Sequence, residues 1–149
     1  MRIIYIDIDT LRADHLGCGG YHRNTSPNID TVASEGINFR NVYASDVPCL
    51  PSRTALITGM FGIRNGVINH GGRAADLQPE GKDRGFFGRF SMRSWASVFY
   101  LAGWHTASIS SFPFRHGASW WNSGFMESMN LMRGFGGERA DQVVPGALD

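Results

Sequence analysis

The sequence predicts an α/β protein with a mostly parallel central sheet flanked by helices. An apolar, β-branched run opens the chain at residues 2–9, segments typical of helices and strands then alternate up to residue 111, and glycines separate them. Such alternation is typical of helices packed on a mostly parallel sheet. The chain has 149 residues, enough for one domain with a core, and no composition shift marks a boundary within it.

The first elements follow from local patterns. Residues 2–9 form a continuous apolar run, which predicts a buried central strand. Residues 25–36 predict a helix, with Ser26 as its cap, Pro27 at its first position and Gly36 as its stop. Residues 37–44 alternate apolar and polar side chains, which indicates a second strand.

The second half of the chain contains shorter elements. Residues 52–58 predict a short helix, and the glycine-rich residues 61–90 predict a long loop or lid outside the core. Residues 94–102 predict an amphipathic helix, and residues 104–111 a further strand. The apolar face of that helix is formed by Trp95, Val98, Phe99 and Ala102. Residues from 117 onward predict an ordered but irregular tail.

Charge and hydropathy exclude some partners. The formal net charge is +1, which gives no reason to expect nucleic acid or an anionic membrane as a partner. No apolar run approaches the length of a membrane span. Because the first predicted strand begins at residue 2, no secretory signal is expected. Two locations remain as alternatives: the cytoplasm, or a secreted or periplasmic site reached before a leader was removed.

The stretch Cys49-Leu50-Pro51-Ser52-Arg53 carries the strongest chemical signal. Pro51 suits the first position of a helix, which places Cys49 just before a helix N-terminus that favours an anion. Arg53 lies one helical turn on, so its planar guanidinium can bind the same anion. An inert buried thiol and a low-pKa cysteine nucleophile are the alternatives. Two cysteines without a C-x-x-C pair argue against a zinc–thiolate site.

This box, with residues 11–17 and 25–30 before it in order, resembles the N-terminal part of sulfatases. The resemblance implies an alkaline-phosphatase-like sandwich, incomplete in this chain, in which residues 1–149 are the first part of a single catalytic domain. It further implies that a formylglycine-generating enzyme converts Cys49 to formylglycine, whose hydrated aldehyde attacks a sulfate ester of a small molecule or sugar. By this resemblance the remainder of a sulfatase chain is a required partner, and the 149 residues alone are expected to be inactive.

Two carboxylates predict a metal site. Asp7 and Asp9 are two residues apart on the predicted strand, so their side chains share one face and suit Ca²⁺ or Mg²⁺. The resemblance implies Asp9 as the first ligand of a metal that is more usually Ca²⁺, with Thr10 at the place of the second and residue 49 completing part of the shell. Asp7 either supplies the missing carboxylate or is satisfied by backbone N–H groups or an arginine. Asp14 is expected to be a turn or cap residue.

Histidines are the candidates for the proton donor to the leaving group. The resemblance implies a lysine and a histidine after the strand at residues 104–111, but Ser111 stands near the place of the lysine. Arg115 and His116 are expected to replace them, His116 as the acid and Arg115 as a substrate-binding cation. His70 is a second candidate substrate-binding residue, and surface roles for both histidines remain open. A phosphonate or phosphate ester hydrolase of the same superfamily and a catalytically inactive fragment are the alternative functions.

Overall fold

The structure is a computed structural model that describes residues 1–78 and 94–130. The chain divides into two compact units, residues 1–43 and residues 44–149, and each is described by itself. Across the described residues, no helix combines the length and the apolar character needed to cross a membrane.

The first unit is organised around helix α1, Pro27–Glu35. Ser26 is its N-cap residue and Gly36 its C-cap residue, which confirms the predicted helix. The Ser26 hydroxyl does not cap α1, however; it accepts a hydrogen bond from the Gly17 N–H at 2.9 Å and donates to the Asp30 carboxylate at 3.1 Å. These bonds hold a short 3-10 helix, Gly17–Gly19, against the start of α1.

Asp30 explains why glycine stands at position 17. Its Oδ1 accepts the Cys18 N–H at 2.8 Å, so one carboxylate binds both the 3-10 helix and Ser26. A Cβ at Gly17 would overlap the Asp30 carboxylate. The docking of the two helices therefore needs a residue without a side chain at position 17.

The predicted strands at residues 2–9 and 37–44 are wrong for the structure of this chain. Neither segment forms a strand, and their apolar side chains are exposed, with Ile4 at 81% and Tyr43 at 86%. A central strand takes hydrogen bonds from neighbours at both edges and is covered on both faces. Residues 1–43 provide neither a paired strand nor a helix over these side chains, so the pattern lacks the partners that would make it a strand.

The second unit combines short helices with a small parallel sheet. Within residues 44–78 and 94–130, its helices are α2, Cys49–Thr58; α3, Gly62–Asn65; α4, Trp95–Leu101; and α5, Phe112–Arg115. The same ranges contain 3-10 helices at Gly72–Ala75 and Ser119–Asn122. Strands β1, Ala107–Ile109, and β2, Glu127–Met129, pair in parallel with Ala107 opposite Glu127. The predicted parallel sheet is thus confirmed in part, as a two-stranded sheet, and the predicted strand at residues 104–111 is present as β1.

The core of this unit lies against α2. Its fully buried apolar residues are Leu50, Val67, Ala75 and Ala118, with Phe112, Trp120, Trp121 and Leu77 packed around them. Trp120 Nε1 donates to the Ala75 carbonyl at 3.1 Å and ties the tail to this core. The prediction that residues 61–90 stay outside the core is therefore wrong for residues 61–78. Residues 79–90, and the end of the tail from residue 131, lie outside the described residues.

Helix α4 is present as predicted, but it buries a different face. Ala96 and Ser97 are buried, whereas Val98 is exposed. The Ser94 hydroxyl caps α4 by accepting the Ser97 N–H at 3.0 Å. Gly124 lies directly against Ser97, so a small side chain is needed on that face and the larger apolar side chains lie elsewhere.

Gly124→Ala is expected to destabilise the second unit strongly. Gly124 has φ +91°, and a Cβ there would overlap the Ser97 backbone nitrogen. Left-handed strain and overpacking together are expected to cost about 2–4 kcal/mol of unfolding free energy. Gly117→Ala is the matched control: φ is +64° with open space around the Cβ, so only the conformational cost of about 1–2 kcal/mol applies. Urea unfolding measures both, and equal losses would contradict the close packing at Gly124.

Candidate active site

The start of helix α2 forms the centre of the candidate site. Cys49 is the first residue of α2 and Pro48 is its N-cap residue. Pro51 is therefore the third helical residue, and the prediction that it is the first is wrong. The prolines at 48 and 51 have no N–H to donate. The N–H groups of Cys49 and Leu50 are therefore the donors that the first turn offers.

His70 lies at this helix end. Its Nε2 accepts a hydrogen bond from the Leu50 N–H at 3.3 Å, although His70 is 20 residues further along the chain. Pro48 does not provide a side-chain cap, so the His70 imidazole, and not the N-cap side chain, accepts this helix N–H. An Nε2 that accepts carries no proton, so the proton of the neutral ring is on Nδ1. The structure thus places His70 beside the residue that follows Cys49.

His116 packs against His70. It is the C-cap residue of α5, and the centroids of the two imidazole rings are 4.3 Å apart in a tilted arrangement. The His116 ring is also 4.3 Å from the Phe112 ring. Two histidines that are 46 positions apart in the sequence are therefore neighbours at the start of α2.

Arg53 is linked to His116 through the Phe112 ring. Arg53 is one turn after Cys49 on α2 and is half-buried, and its guanidinium carbon lies 4.4 Å from the centroid of the Phe112 ring. Phe112 thus contacts Arg53 and His116 at once. Sequence reasoning missed Phe112. Its i, i+4 spacing before His116 on a short helix is a signal for the contact with His116 alone, and not for the contact with Arg53.

Arg115 does not contact the side chains described above. It is the last residue of α5 and is exposed, and among the described residues no side-chain bond joins it to Arg53, His70 or His116. Its neighbour His116 is in the cluster, which we define as Cys49, Arg53, His70, Phe112 and His116. In the second unit, contacts link four of these side chains, and Cys49 lies one turn before Arg53 on α2, whereas Arg115 is at the surface.

Asp7 and Asp9 belong to the first unit. The prediction that they share one face of a strand is wrong in its premise, because residues 2–9 form no strand. Asp7 is exposed with the Tyr5 hydroxyl 3.5 Å from its Oδ2, and Asp9 is half-buried before Thr10, which has φ +57°. Within residues 1–78 and 94–130, no group of three or more His, Cys, Asp or Glu residues is close enough to hold a metal ion. Carboxylates suit Ca²⁺ chemically, but these described residues do not by themselves fit a calcium site.

Asp14 is a turn residue, as expected. It lies in the 3-10 helix Ala13–His15. Arg12 donates to both of its carboxylate oxygens, and His15 Nδ1 lies 3.0 Å from its Oδ1. The hydrogen bond from Arg12, followed by that from His15, holds the pKa of the Asp14 carboxyl well below its usual range. Its charge is thus stabilised by local partners.

Cys18 and Cys49 are both free thiols.

Comparison with known proteins identifies the family. The sulfatase family model matches residues 2–125, most of the chain. The chain is similar to an arylsulfatase of Clostridium perfringens, with 33% identity over 107 residues that cover 72% of this chain and 20% of that protein. It is similar to human arylsulfatase A, with 40% identity over 65 residues, 44% of this chain and 13% of that protein.

A third relative is an N-acetylgalactosamine-6-O-sulfatase of Bacteroides thetaiotaomicron, with 42% identity over 59 residues, 40% of this chain and 12% of that protein. The chain therefore spans a fifth or less of the length of these relatives. No solved structure gives a significant match. On the family match over residues 2–125, and on the shared identity with arylsulfatases, the chain belongs to the sulfatase family.

Proposed function

We propose that this chain carries the nucleophile end of a sulfuric ester hydrolase, with a nucleophile derived from Cys49. The observation that carries the proposal is a continuous series of contacts that starts at the first turn of α2, where Cys49 is the first residue. It runs from the Leu50 N–H through His70, His116 and Phe112 to Arg53. Family membership supports the reaction class. The same membership implies an alkaline-phosphatase-like α/β sandwich, of which this chain forms one part.

The first turn of α2 suits the binding of a sulfate group. The positive end of the helix dipole favours an anion, and the Arg53 guanidinium can donate two parallel hydrogen bonds to oxygens that gain charge in the transition state. Converted to formylglycine, residue 49 would supply a hydrated aldehyde oxygen as the nucleophile. Residue 49 and Arg53, one turn apart on the helix, would thus face the same sulfur centre.

The two histidines take different parts in this proposal. His116 is the acid that protonates the departing alkoxide, a step for which an imidazolium has a suitable pKa. His70 uses Nε2 to hold the Leu50 N–H, which leaves its Nδ1–H as the group that binds a substrate oxygen. Arg115 is proposed as a more distant substrate-binding cation, because it follows Phe112 on α5 and is exposed at the surface.

The proposal includes partners outside this chain. A formylglycine-generating enzyme would modify Cys49, and the remainder of a sulfatase domain would join the chain to give what is called here the complete enzyme. Asp9, with Asp7, is proposed to contribute carboxylates to a divalent metal site, with Ca²⁺ favoured over Mg²⁺. The described residues do not form that site alone, so no catalytic step is derived through it. The substrate class is a sulfated small molecule or sugar.

A catalytically inactive fragment is the second candidate, and the same finding about the metal site favours it. Turnover of an aryl sulfate by the isolated 149-residue chain would rule out the inactive fragment, but little or none is expected because the site is incomplete. The complete enzyme is then assayed on a sulfate ester and on the matching phosphonate ester. A faster rate on the phosphonate would overturn the sulfatase assignment in favour of the related hydrolase.

Intact mass tests the modification directly. Conversion of the Cys49 thiol to an aldehyde lowers the mass by roughly 18 Da. In cells that contain the converting enzyme, the unaltered chain and Cys18→Ala are expected to show this loss, whereas Cys49→Ala is not. A full-mass thiol at position 49 in such cells, located by peptide mapping, would contradict the proposed nucleophile.

A further inference from the structure

The Phe112 ring contacts both the Arg53 guanidinium and the His116 imidazole of the candidate site. We propose that Phe112 is a positioning residue that holds the Arg53 guanidinium and the His116 imidazole beside the first turn of α2. The inference rests on the proposed function, because these two groups matter only if an anion binds there. Phe112 itself makes no polar contact with substrate in this proposal.

The Phe112 ring is fixed from its inner side. Phe112 is the first residue of α5 and packs against the core formed by Leu50, Val67, Ala75 and Ala118. Its ring centroid is 5.3 Å from that of Trp121, which belongs to the same packed group. A side chain anchored in this way has little freedom to rotate, so it presents a rigid surface to Arg53 and His116.

The contact of Arg53 with that surface does not itself use the N–H donors of the guanidinium. Its guanidinium carbon is 4.4 Å from the Phe112 ring centroid, within the range of a cation–π contact. Such a contact occupies the face of the guanidinium, whereas the N–H groups that bind an oxyanion project from its edge. Phe112 therefore restricts a long, flexible side chain without competing for its hydrogen bonds.

His116 is restrained by the same ring. The Phe112 and His116 rings have centroids 4.3 Å apart and planes inclined by 54°, and the His116 ring also contacts that of His70. Rotation of the imidazole is limited between these two rings. The series Arg53, Phe112, His116, His70 thus runs without a break to the Leu50 N–H at the start of α2.

The first test measures Arg53 itself and needs no activity. In the 149-residue chain, NMR relaxation of the Arg53 Nε–H is expected to show an ordered side chain, with Arg64 on α3, which is exposed, as the mobile comparison. Phe112→Leu, which stays apolar but removes the π face, is expected to make Arg53 measurably more mobile than it is in the unaltered chain, in the direction of Arg64. Phe112→Tyr is expected to restore the order.

Phe125→Leu is the matched control, because Phe125 is also half-buried and makes an edge contact with another ring, that of Trp95. It is expected to leave Arg53 ordered. If Arg53 stays ordered in Phe112→Leu, or is already mobile in the unaltered chain, the positioning role is overturned. If Phe112→Leu fails to fold, a mobile Arg53 in the unaltered chain would still overturn the positioning role.

A sulfate titration of the same proteins separates this inference from the proposed function. Phe112→Leu is expected to bind sulfate about three- to tenfold more weakly than the unaltered chain and Phe112→Tyr, the range of one cation–π contact. Sulfate affinity that is unchanged in Phe112→Leu overturns the inference and leaves the proposed function standing. If the unaltered chain does not bind sulfate, the anion site needs residues from the rest of the domain, and Arg53 order alone decides the role of Phe112. The proposed function is tested separately, by Cys49→Ala in the complete enzyme.

Discussion

Cys49→Ala in the complete enzyme is expected to abolish hydrolysis of an aryl sulfate ester. Alanine has neither a thiol for conversion nor an oxygen nucleophile, so covalent catalysis at position 49 is lost. The change is small in structural terms, because Cys49 is half-buried at the first position of α2 and alanine is a good helix former. The rate is therefore expected to fall to background while the unfolding transition stays nearly unchanged.

Cys18→Ala is the matched control for this loss. Cys18 is the other free thiol, half-buried in the first unit, and its assigned hydrogen bonds use only its backbone N–H and carbonyl. It is expected to retain the full rate of the unaltered protein. Activity that survives in Cys49→Ala under conditions where Cys18→Ala is also active would rule out residue 49 as the nucleophile.

The sequence was informative where the signal is local. Ser26, Pro27 and Gly36 predict both ends of α1 because such signals are local, and the structure confirms the ends, although the Ser26 hydroxyl binds Gly17 and Asp30 and does not cap the helix. The helix at residues 52–58 was predicted three residues too short, because Pro51 is tolerated at the third position of α2 as well as at the first. Cap signals therefore located the helices to within a few residues.

Signals that depend on distant partners were not sufficient. The apolar run at residues 2–9 and the alternation at residues 37–44 indicate strands only if neighbours supply hydrogen bonds and cover, and residues 1–43 supply neither. The role of Phe112 depends on contacts with Arg53, 59 positions earlier, which no local pattern contains. His70 is a similar case, because its bond to the Leu50 N–H is set by how the chain returns after α3.

Arg53→Ala in the complete enzyme is expected to lower kcat by about 10²–10³, the usual loss when one group that stabilises an oxyanion is removed. Arg53 lies one turn from Cys49, and its guanidinium face rests on Phe112, so its donors are held near the reacting group. Arg53→Lys retains the charge but loses the planar fork and the stacking, and it is expected to recover only part of the rate. Steady-state kinetics on an aryl sulfate measures both.

Arg64→Ala separates this effect from a general loss of positive charge. Arg64 lies in the last turn of α3 in the same unit and is exposed, so its removal changes the net charge equally without touching the cluster. It is expected to leave kcat within about twofold, since exposed charges that are not paired contribute little. If Arg53→Ala and Arg64→Ala lower kcat alike, long-range attraction of the anion explains the loss. If only Arg53→Ala does so and Arg53→Lys falls between, the effect depends on the geometry of the guanidinium beside residue 49.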